Sequence, residues 1–542
     1  ALVFYKLNLN VRENLYQTTQ EATFGVNRAF GVSIEQLGCP TFQGHQPRQT
    51  NQKIQFSKER LTEFGELPRG EIPEALEYNP ISRVTRTDNG VTVGTEVYGT
   101  DIVTIGLHWK YGSRNETQDT AGITSFIQNL RLRGTQKSSR GELEKSFNSI
   151  GAKVTQEICR ERNSMYITCH KDNVDKAIKS VGDILTNSTF NENQLEAERE
   201  GIYRRIVDLQ KDMMECTLEN AFYTSFRAHQ MGQPTLGNRD NVANITPEKI
   251  REFVNRYHTG KNLVITATGN VDHGRIVDSV NREFKGLNST SGDSARENNH
   301  KPMFTPSIIF TRDDEMVNLN ASVMFRAPSY SHPDSHLMRL FVELLGEYRA
   351  DLHTGTNLND PGKQYNYLHE RYGHMPGIHL QKTFYFPFSD VGLFGTYVNG
   401  SEVFGPQICF LAQTNLSNYA HAVSYSLTVV NQSEIFRARA KIFNDLLNQR
   451  SGIDTNREIA NDLFYLGRRV PRSEIASKIS AGADECMIKR LATKWFYDVD
   501  IAAAVWGPLH YILSMTHYNR PWKRSTLGVY YNTMLTLSKY VK

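Results

Sequence analysis

The chain has 542 residues, with 62 Lys+Arg against 58 Asp+Glu, 39% hydrophobic residues, 27 Phe and 25 Tyr. That length allows two or more domains with real cores, and the aromatic content with near-balanced charge excludes disorder as the main state. A formal charge of +4 gives no case for a nucleic-acid binder, and apolar runs such as IAAAVWG (501–507) fall far below the roughly 18–20 residues of a membrane span.

The chain starts at Ala1 rather than Met, as a trimmed precursor or a partial start would, and no leader segment is readable. Residues 1–78 differ in texture from the rest: TFQGHQPRQTNQK (41–53) is polar and ELPRGEIPEALEYNP (66–80) holds three prolines. They read as an extension that lies along something else rather than a domain with its own core. From about residue 81 the pattern is α+β. RVTRTDNGVTVGTEV (83–97) predicts two strands around an Asn89-Gly90 turn, and DIVTIGLHWKYG (101–112) a third. Ile123, Phe126, Ile127 and Leu130 mark an amphipathic helix, and Leu143, Phe147 and Ile150 another. After a strand at 165–170, Asp172 is a candidate N-cap for a helix carrying Val174, Ala177, Ile178, Val181, Ile184 and Leu185. NENQLEAEREGIYRRIVDLQKD (191–212) continues as a long charged helix.

An internal repeat organises the rest of the chain. NRYHTGKNLVITATGNVDH (255–273) and TKWFYDVDIAAAVWGPLHY (493–511) align without a gap, an aromatic (Tyr257, Trp495) preceding a strand that ends at glycine (Gly269, Gly507). A second match sets IGLHWKYGS (105–113) beside SVMFRAPSY (322–330). The chain is therefore read as an extension (1–78), a first module (79–287), a polar linker (288–303) and a second module (304–542). The six cysteines (Cys39, Cys159, Cys169, Cys216, Cys409 and Cys486) contain no C-x-x-C pair and read as ordinary thiols rather than a disulfide or zinc framework.

The stretch TAGITSFIQNLRLRGT (120–135) resembles the opening helix of the pitrilysin-type (inverzincin) metallopeptidases, whose H-x-x-E-H run binds zinc. Aligned on Arg133-Gly134-Thr135, the two ligand histidines fall on Ser125 and Asn129 and the catalytic glutamate on Gln128. The family's third ligand, a glutamate about 76 residues further on, falls on Arg205, with Glu198 at the upstream glutamate. Hydroxyl and amide groups are poor neutral donors for zinc, Arg205 adds a cation where an anion would balance the metal, and Gln128 cannot take a proton from water. No zinc and no peptidase chemistry are expected. Glu196, Glu198 and Glu200 with Arg204 and Arg205 read either as a solvated helix face or as a relict cleft in which Arg205 pairs with Glu198. The clusters His369/Glu370/His374/His379 and His332/His336 are interrupted by Gly373, Pro376, Gly377 and Pro333 and read as packing or surface histidines.

The resemblance spans roughly 79–525 and runs through YGSRNETQDTAG (111–122), QPTLGNRDNVANIT (233–246), FPFSDVGLFGTYV (386–398), YLGRRVPRSEIASKI (465–479) and HYNRPWKR (517–524). It is strongest to the family branch holding β-type mitochondrial processing-peptidase subunits and the first core proteins of the cytochrome bc complex. The α-type branch has a long glycine-rich loop where RADLHTGTNLNDPGK (349–363) holds two glycines. The resemblance implies two homologous modules, each an antiparallel-rich sheet packed with helices. It further implies a non-catalytic core-1-like subunit of respiratory complex III, peripheral on the matrix side of the inner mitochondrial membrane. Its partners would be a core-2-like (α-type) subunit, cytochrome b, cytochrome c1 and the iron–sulfur protein, and it would hold no cofactor, lacking C-x-x-C-H or any clustered cysteines. The alternative is a non-catalytic subunit of a processing peptidase that binds presequences while a partner subunit cleaves them.

Overall fold

A computed structural model describes residues 72–227, 229–287, 301–350, 377–405, 432–448 and 451–509. Residues 1–71 of the expected extension lie outside these, as do most of the linker, His369, Glu370, His374 and the segment 517–524.

The first sheet grows from the expected hairpin. β1 (Ser82–Arg86) and β2 (Thr92–Val97) pair antiparallel around a turn in which Gly90 takes a φ of +85°, the left-handed conformation that Asn-Gly turns favour. β3 (Ile102–Trp109) comes next, buried along nearly its whole length. The short α1 (Glu74–Glu77) precedes the sheet, and two amphipathic helices, α2 (Ile123–Leu130) and α3 (Arg140–Ser149), succeed β3. β4 (Lys153–Ile158) and β5 (Asn163–His170) lead into α4 (Val174–Asn187). Here Asp172 is not the cap: it lies in a 3-10 turn (Lys171–Asn173), and Asn173 occupies the N-cap of α4 without a side-chain bond. The long α5 (Glu192–Lys211) and α6 (Met213–Ser225) are separated by Asp212, whose carboxylate accepts from the backbone N–H groups of Met214 and Glu215. After α7 (Arg239–Ala243) and α8 (Pro247–Tyr257), β6 (Leu263–Gly269) enters the sheet centre, and α9 (His273–Glu283) closes this part.

The second sheet repeats the plan. It contains β7 (Ile308–Arg312), β8 (Asn318–Ala327), β9 (Glu347–Arg349), β10 (Ile378–Pro387), β11 (Gly392–Ser401) and β12 (Ile501–Gly507). Its helices are α10 (Ser335–Leu345), α11 (Gln432–Leu447), α12 (Gly452–Tyr465), α13 (Arg472–Gly482) and α14 (Glu485–Trp495). The strand orders are β1-β2-β6-β3-β5-β4 and β7-β12-β8-β11-β10-β9. Each is a mixed sheet with one parallel pair, β2/β6 and β7/β12, and otherwise antiparallel neighbours. Setting β6 on β12 and β3 on β8 superposes the orders, leaving β1 and β9 as additions at opposite edges.

The repeat seen in the sequence has a physical basis in this pairing. Tyr257 and Trp495 are the last residues of α8 and α14, and β6 and β12 end at Gly269 and Gly507, with φ of +124° and +132°. A Cβ at Gly269 would lie 2.6 Å from the Ile102 carbonyl, and one at Gly507 would lie 2.8 Å from that of Asn318. Both strands thus end against the start of their central neighbour, where only glycine fits.

Each sheet lends a helix to the other. α6, from the first module, packs on β8 and β12, with Ala221 buried against Met324, Ala502 and Ala504. In exchange α12 lies on β3 and β6, where Ile459 and Leu463 pack on Val264 and the Asn456 amide donates to the Thr104 carbonyl (2.8 Å). Leu76 of α1 joins the core of the second module. Cys159, Cys169 and Cys216 are free thiols, as expected, whereas Cys486 is disulfide-bonded and departs from that expectation.

Buried charges seal the same junction. Arg469 reaches Glu96 of β2 (2.8 Å) and Asp462 of α12 (2.8 Å), all three side chains being 5% exposed or less. Asp462 also accepts from the Val470 N–H (3.1 Å) and the Tyr330 hydroxyl (2.7 Å). Arg114 pairs with Glu161 of the first module and with Asp390 of the second (2.7 Å). Removing one member of such a set leaves the others buried and uncompensated. Arg469→Met is therefore expected to cost about 3–5 kcal/mol of stability, read as a lower midpoint of unfolding in denaturant with the protein still folded in buffer.

Candidate functional site

The position of the family's metal site is built on α2 and α5. α2 begins at Gly122, whose φ of +94° and lack of a side chain leave the helix without a cap of its own. Glu116 supplies one from outside: its carboxylate accepts from the N–H groups of Gly122 (2.8 Å) and Thr124 (3.0 Å) and from the Thr124 hydroxyl (2.5 Å). Burial pushes the Glu116 carboxyl up to about 7, against the lowering effect of these donors.

Ser125 and Asn129, at i and i+4, share a face of α2. Ser125 is fully buried, its hydroxyl donating to the Thr235 carbonyl at 3.5 Å. Gln128 is also buried, with its backbone carbonyl accepting from Gln156 Nε2 (2.9 Å). Across the gap, Arg205 of α5 donates from Nη1 to Asn129 Oδ1 at 3.2 Å. The two residues that the alignment places at ligand positions 76 apart therefore meet in space.

Glu198 behaves differently from either sequence reading. It is buried and forms an ion pair with Arg133, just beyond α2. The Arg205–Glu198 pair of the relict-cleft alternative does not form, because seven helical residues separate the two by about 10 Å along the axis and Arg205 is engaged by Asn129. Glu200 and Arg204 form an exposed pair (3.2 Å) as anticipated for a solvated face, whereas Arg199, paired with the exposed Glu196 (2.9 Å), is largely buried and donates to the backbone carbonyls of Val242 and Ile245 (3.2 Å). Sequence reasoning missed the roles of Glu116 and Arg133. Nothing in their spacing announces a cap six residues ahead of a helix or a partner 65 residues on.

The donor set does not fit zinc. One hydroxyl, two amides and a guanidinium offer neither imidazole nor an unshared carboxylate, and the one nearby carboxylate, Glu198, is already neutralised by Arg133. Among the described residues no group of three or more His, Cys, Asp or Glu is placed to hold a metal ion. His332 and His336 do not converge: His332 Nδ1 accepts from the Asp334 N–H (3.1 Å), while burial pushes His336 down to about 3. His379 is exposed on β10. A cavity of about 670 Å³ lies between α5, α6 and residues 234–239, and none of Ser125, Gln128, Asn129, Glu198 or Arg205 lines it.

Two family models match this fold. The insulinase model (peptidase family M16) covers residues 92–239 and the peptidase M16 inactive-domain model covers 244–407. Together they span more than half of the chain, which belongs to peptidase family M16. In particular, it is similar to a probable β subunit of the mitochondrial-processing peptidase of Arabidopsis thaliana, 28% identical over 81% of this chain and 80% of that protein. It is 25% identical to cytochrome b-c1 complex subunit 1 of Bos taurus, over 82% of this chain and 90% of that one. Among solved structures, a chain of complex III2 from Candida albicans matches with a TM-score of 0.66 at 19% identity, covering 79% of this chain and 97% of that one. A Helicobacter pylori protease gives the same TM-score at 15% identity, over 79% and 100% of the two chains. These two share the fold.

Because the folded-state value of Glu116 lies above its ordinary 4.5, the folded chain holds the extra proton, and this group's contribution to stability falls as pH rises from about 4.5 to about 7. Glu116→Gln should flatten the dependence of the unfolding midpoint on pH across that window, whatever it does to the midpoint itself. The quadruple variant Ser125→His, Gln128→Glu, Asn129→His, Arg205→Glu is expected to gain about one zinc per chain by elemental analysis, where the parent binds far less than one. Stoichiometric zinc in the parent, lost on replacing Asn129 or Ser125, would overturn the assignment.

Proposed function

We propose that this chain is a non-catalytic, core-1-like subunit of mitochondrial complex III (ubiquinol–cytochrome c reductase), peripheral on the matrix side of the inner membrane. The observation that carries the reading is the Asn129–Arg205 hydrogen bond, which occupies the place where an active relative holds its metal between the same two helices. With Gln128 in the general-base position, the site has no group to activate water. Similarity to a cytochrome b-c1 complex subunit 1 over 90% of that protein's length supports the structural role.

No described helix is long and apolar enough to cross a membrane, so attachment in this reading runs through partners. These are a core-2-like (α-type) subunit in a heterodimer, and the membrane-bound subunits, cytochrome b, cytochrome c1 and the iron–sulfur protein. The redox cofactors belong to those subunits and none to this chain. Its contribution is architectural: two modules locked by exchanged helices present a rigid surface on which an assembly can be built.

A second reading, a non-catalytic subunit of a processing peptidase, is favoured by the 28% identity to the Arabidopsis β-type protein. In it this chain binds presequences and a partner with an intact H-x-x-E-H motif cuts them. Blue-native electrophoresis of a detergent extract with mass spectrometry of the band separates the two. The structural reading expects co-migration with haem-bearing membrane subunits. A soluble pair that cleaves presequences, with no haem protein in the band, would replace it by the second.

A further inference from the structure

β1 is an edge strand: in the order β1-β2-β6-β3-β5-β4 it is bonded on one side only. In its antiparallel ladder the Ile81 carbonyl accepts from the Val97 N–H (3.0 Å), and the Thr87 N–H donates to the Val91 carbonyl (2.8 Å). Alternation along the ladder turns the N–H and C=O groups of residues 81, 83, 85 and 87 toward β2 and those of Ser82, Val84 and Arg86 outward. No described backbone group meets that outward row. The row is also held in place. The Asn89-Gly90 turn fixes one end, while Leu76 in the second core and the Asn79–Ser473 bonds fix the other. A strand ordered in advance loses little further conformational entropy when another pairs with it.

All five residues of β1 are exposed. Ile81 and the opposing Val97 are exposed on one face, and Val84 on the other, where its cross-strand neighbour Gly94 has no side chain to cover it. Edges are ordinarily blunted by a bulge, a proline or charge. β1 pairs with β2 without a bulge and contains no proline. What remains is charge: Arg83 and Arg86 lie on opposite faces, and neither forms an ion pair or side-chain hydrogen bond with a described residue. These arginines select the occupant. In a second copy paired antiparallel about Val84, the register that uses the whole outward row, Arg83 would meet its own counterpart diagonally at roughly 7–8 Å and repel it. A strand with a carboxylate opposite each arginine turns the same two charges into attraction.

From this juxtaposition we infer that the outer edge of β1 binds an extended acidic segment of a partner chain, added as a further strand to the first sheet. Main-chain bonds to Ser82, Val84 and Arg86 supply affinity, and the two arginines supply selectivity. Antiparallel pairing sets carboxylates opposite Arg86 and Arg83 and an aliphatic side chain opposite Val84. The segment therefore runs, in chain order, acidic residue, any residue, aliphatic residue, acidic residue. The inference holds whichever of the two roles proposed above the chain has.

Fluorescence anisotropy of the full chain with the labelled, amidated peptide TETVETI tests this at low ionic strength, with TKTVKTI as the control. TETVETI should bind, and TKTVKTI should bind roughly tenfold more weakly or worse. Val84→Pro removes one outward N–H and leaves the β1–β2 bonds intact, because the Val84 N–H points away from β2. It should weaken TETVETI by roughly tenfold. The double variant Arg83→Glu, Arg86→Glu should reverse the preference, so that TKTVKTI binds the more tightly. Thermal unfolding of each variant establishes that it is folded, and if Val84→Pro fails to fold, the charge-reversed variant carries the test. Absence of TETVETI binding, equal binding of the two peptides, or affinity unchanged in the folded variants would overturn the inference. So would sedimentation showing a dimer of the full chain that Val84→Pro dissolves, which would assign the edge to a second copy.

Discussion

Each six-stranded sheet has two faces to cover, its own module supplies helices enough for one, and the rest of the structure depends on how the other is closed. A helix from the opposite module does it, α6 on β8 and β12, α12 on β3 and β6. Burying side chains such as Ile459 and Leu463 contributes roughly 1.5–3 kcal/mol each, and those contacts exist only when both modules are folded and docked. The buried Arg469–Glu96–Asp462 set adds a directional constraint to this apolar one. An ion pair of that kind adds little net stability over a hydrophobic replacement, yet it penalises any misaligned docking that strands one charge. The two modules therefore form a single unit.

Within this unit, α2 and α5 are cross-linked at the position the resemblance assigns to the family's metal site. In an active relative a metal held by two histidines and a glutamate would tie these two helices together. Here a single, largely exposed hydrogen bond from Arg205 to Asn129 spans the same gap, and such a contact is worth at most about 1 kcal/mol. Other residues hold the helices in place. Glu116 fixes the start of α2, and the buried Glu198–Arg133 pair ties its far end to α5. Packing and capping, rather than the Asn129–Arg205 contact, hold α2 and α5 together at this position.

Much of the fold was legible because its signals are local. The Asn89-Gly90 turn and the twin strands ending at Gly269 and Gly507 follow from backbone sterics, which act within a few residues. The spacing of 76 taken from the family resemblance sets Arg205 opposite Asn129, and the two side chains are hydrogen-bonded. The helix exchange was not legible: an apolar stripe such as that of α12 looks the same whichever sheet it covers. Nor was the partner of Glu198, since Arg133 lies in a turn with no periodic relation to α5. Asp172 shows the limit of capping rules, where an extra 3-10 turn shifted the helix start beyond the best capping residue.

The short helix α1 bears on how the molecule is assembled. Leu76 sits in the core of the second module, near α11 and α13, yet it lies only six residues before β1, an edge strand of the first sheet. Asn79 secures the same crossing through Ser473, accepting from its N–H (3.1 Å) and donating to its hydroxyl (2.8 Å), across a sequence separation of 394. The entropy of closing so long a loop grows only logarithmically with length, but the contact cannot form until both ends are in place. A fragment beginning after the linker would therefore carry a leucine-sized hole in the core of the second module, at a cost of about 3–5 kcal/mol.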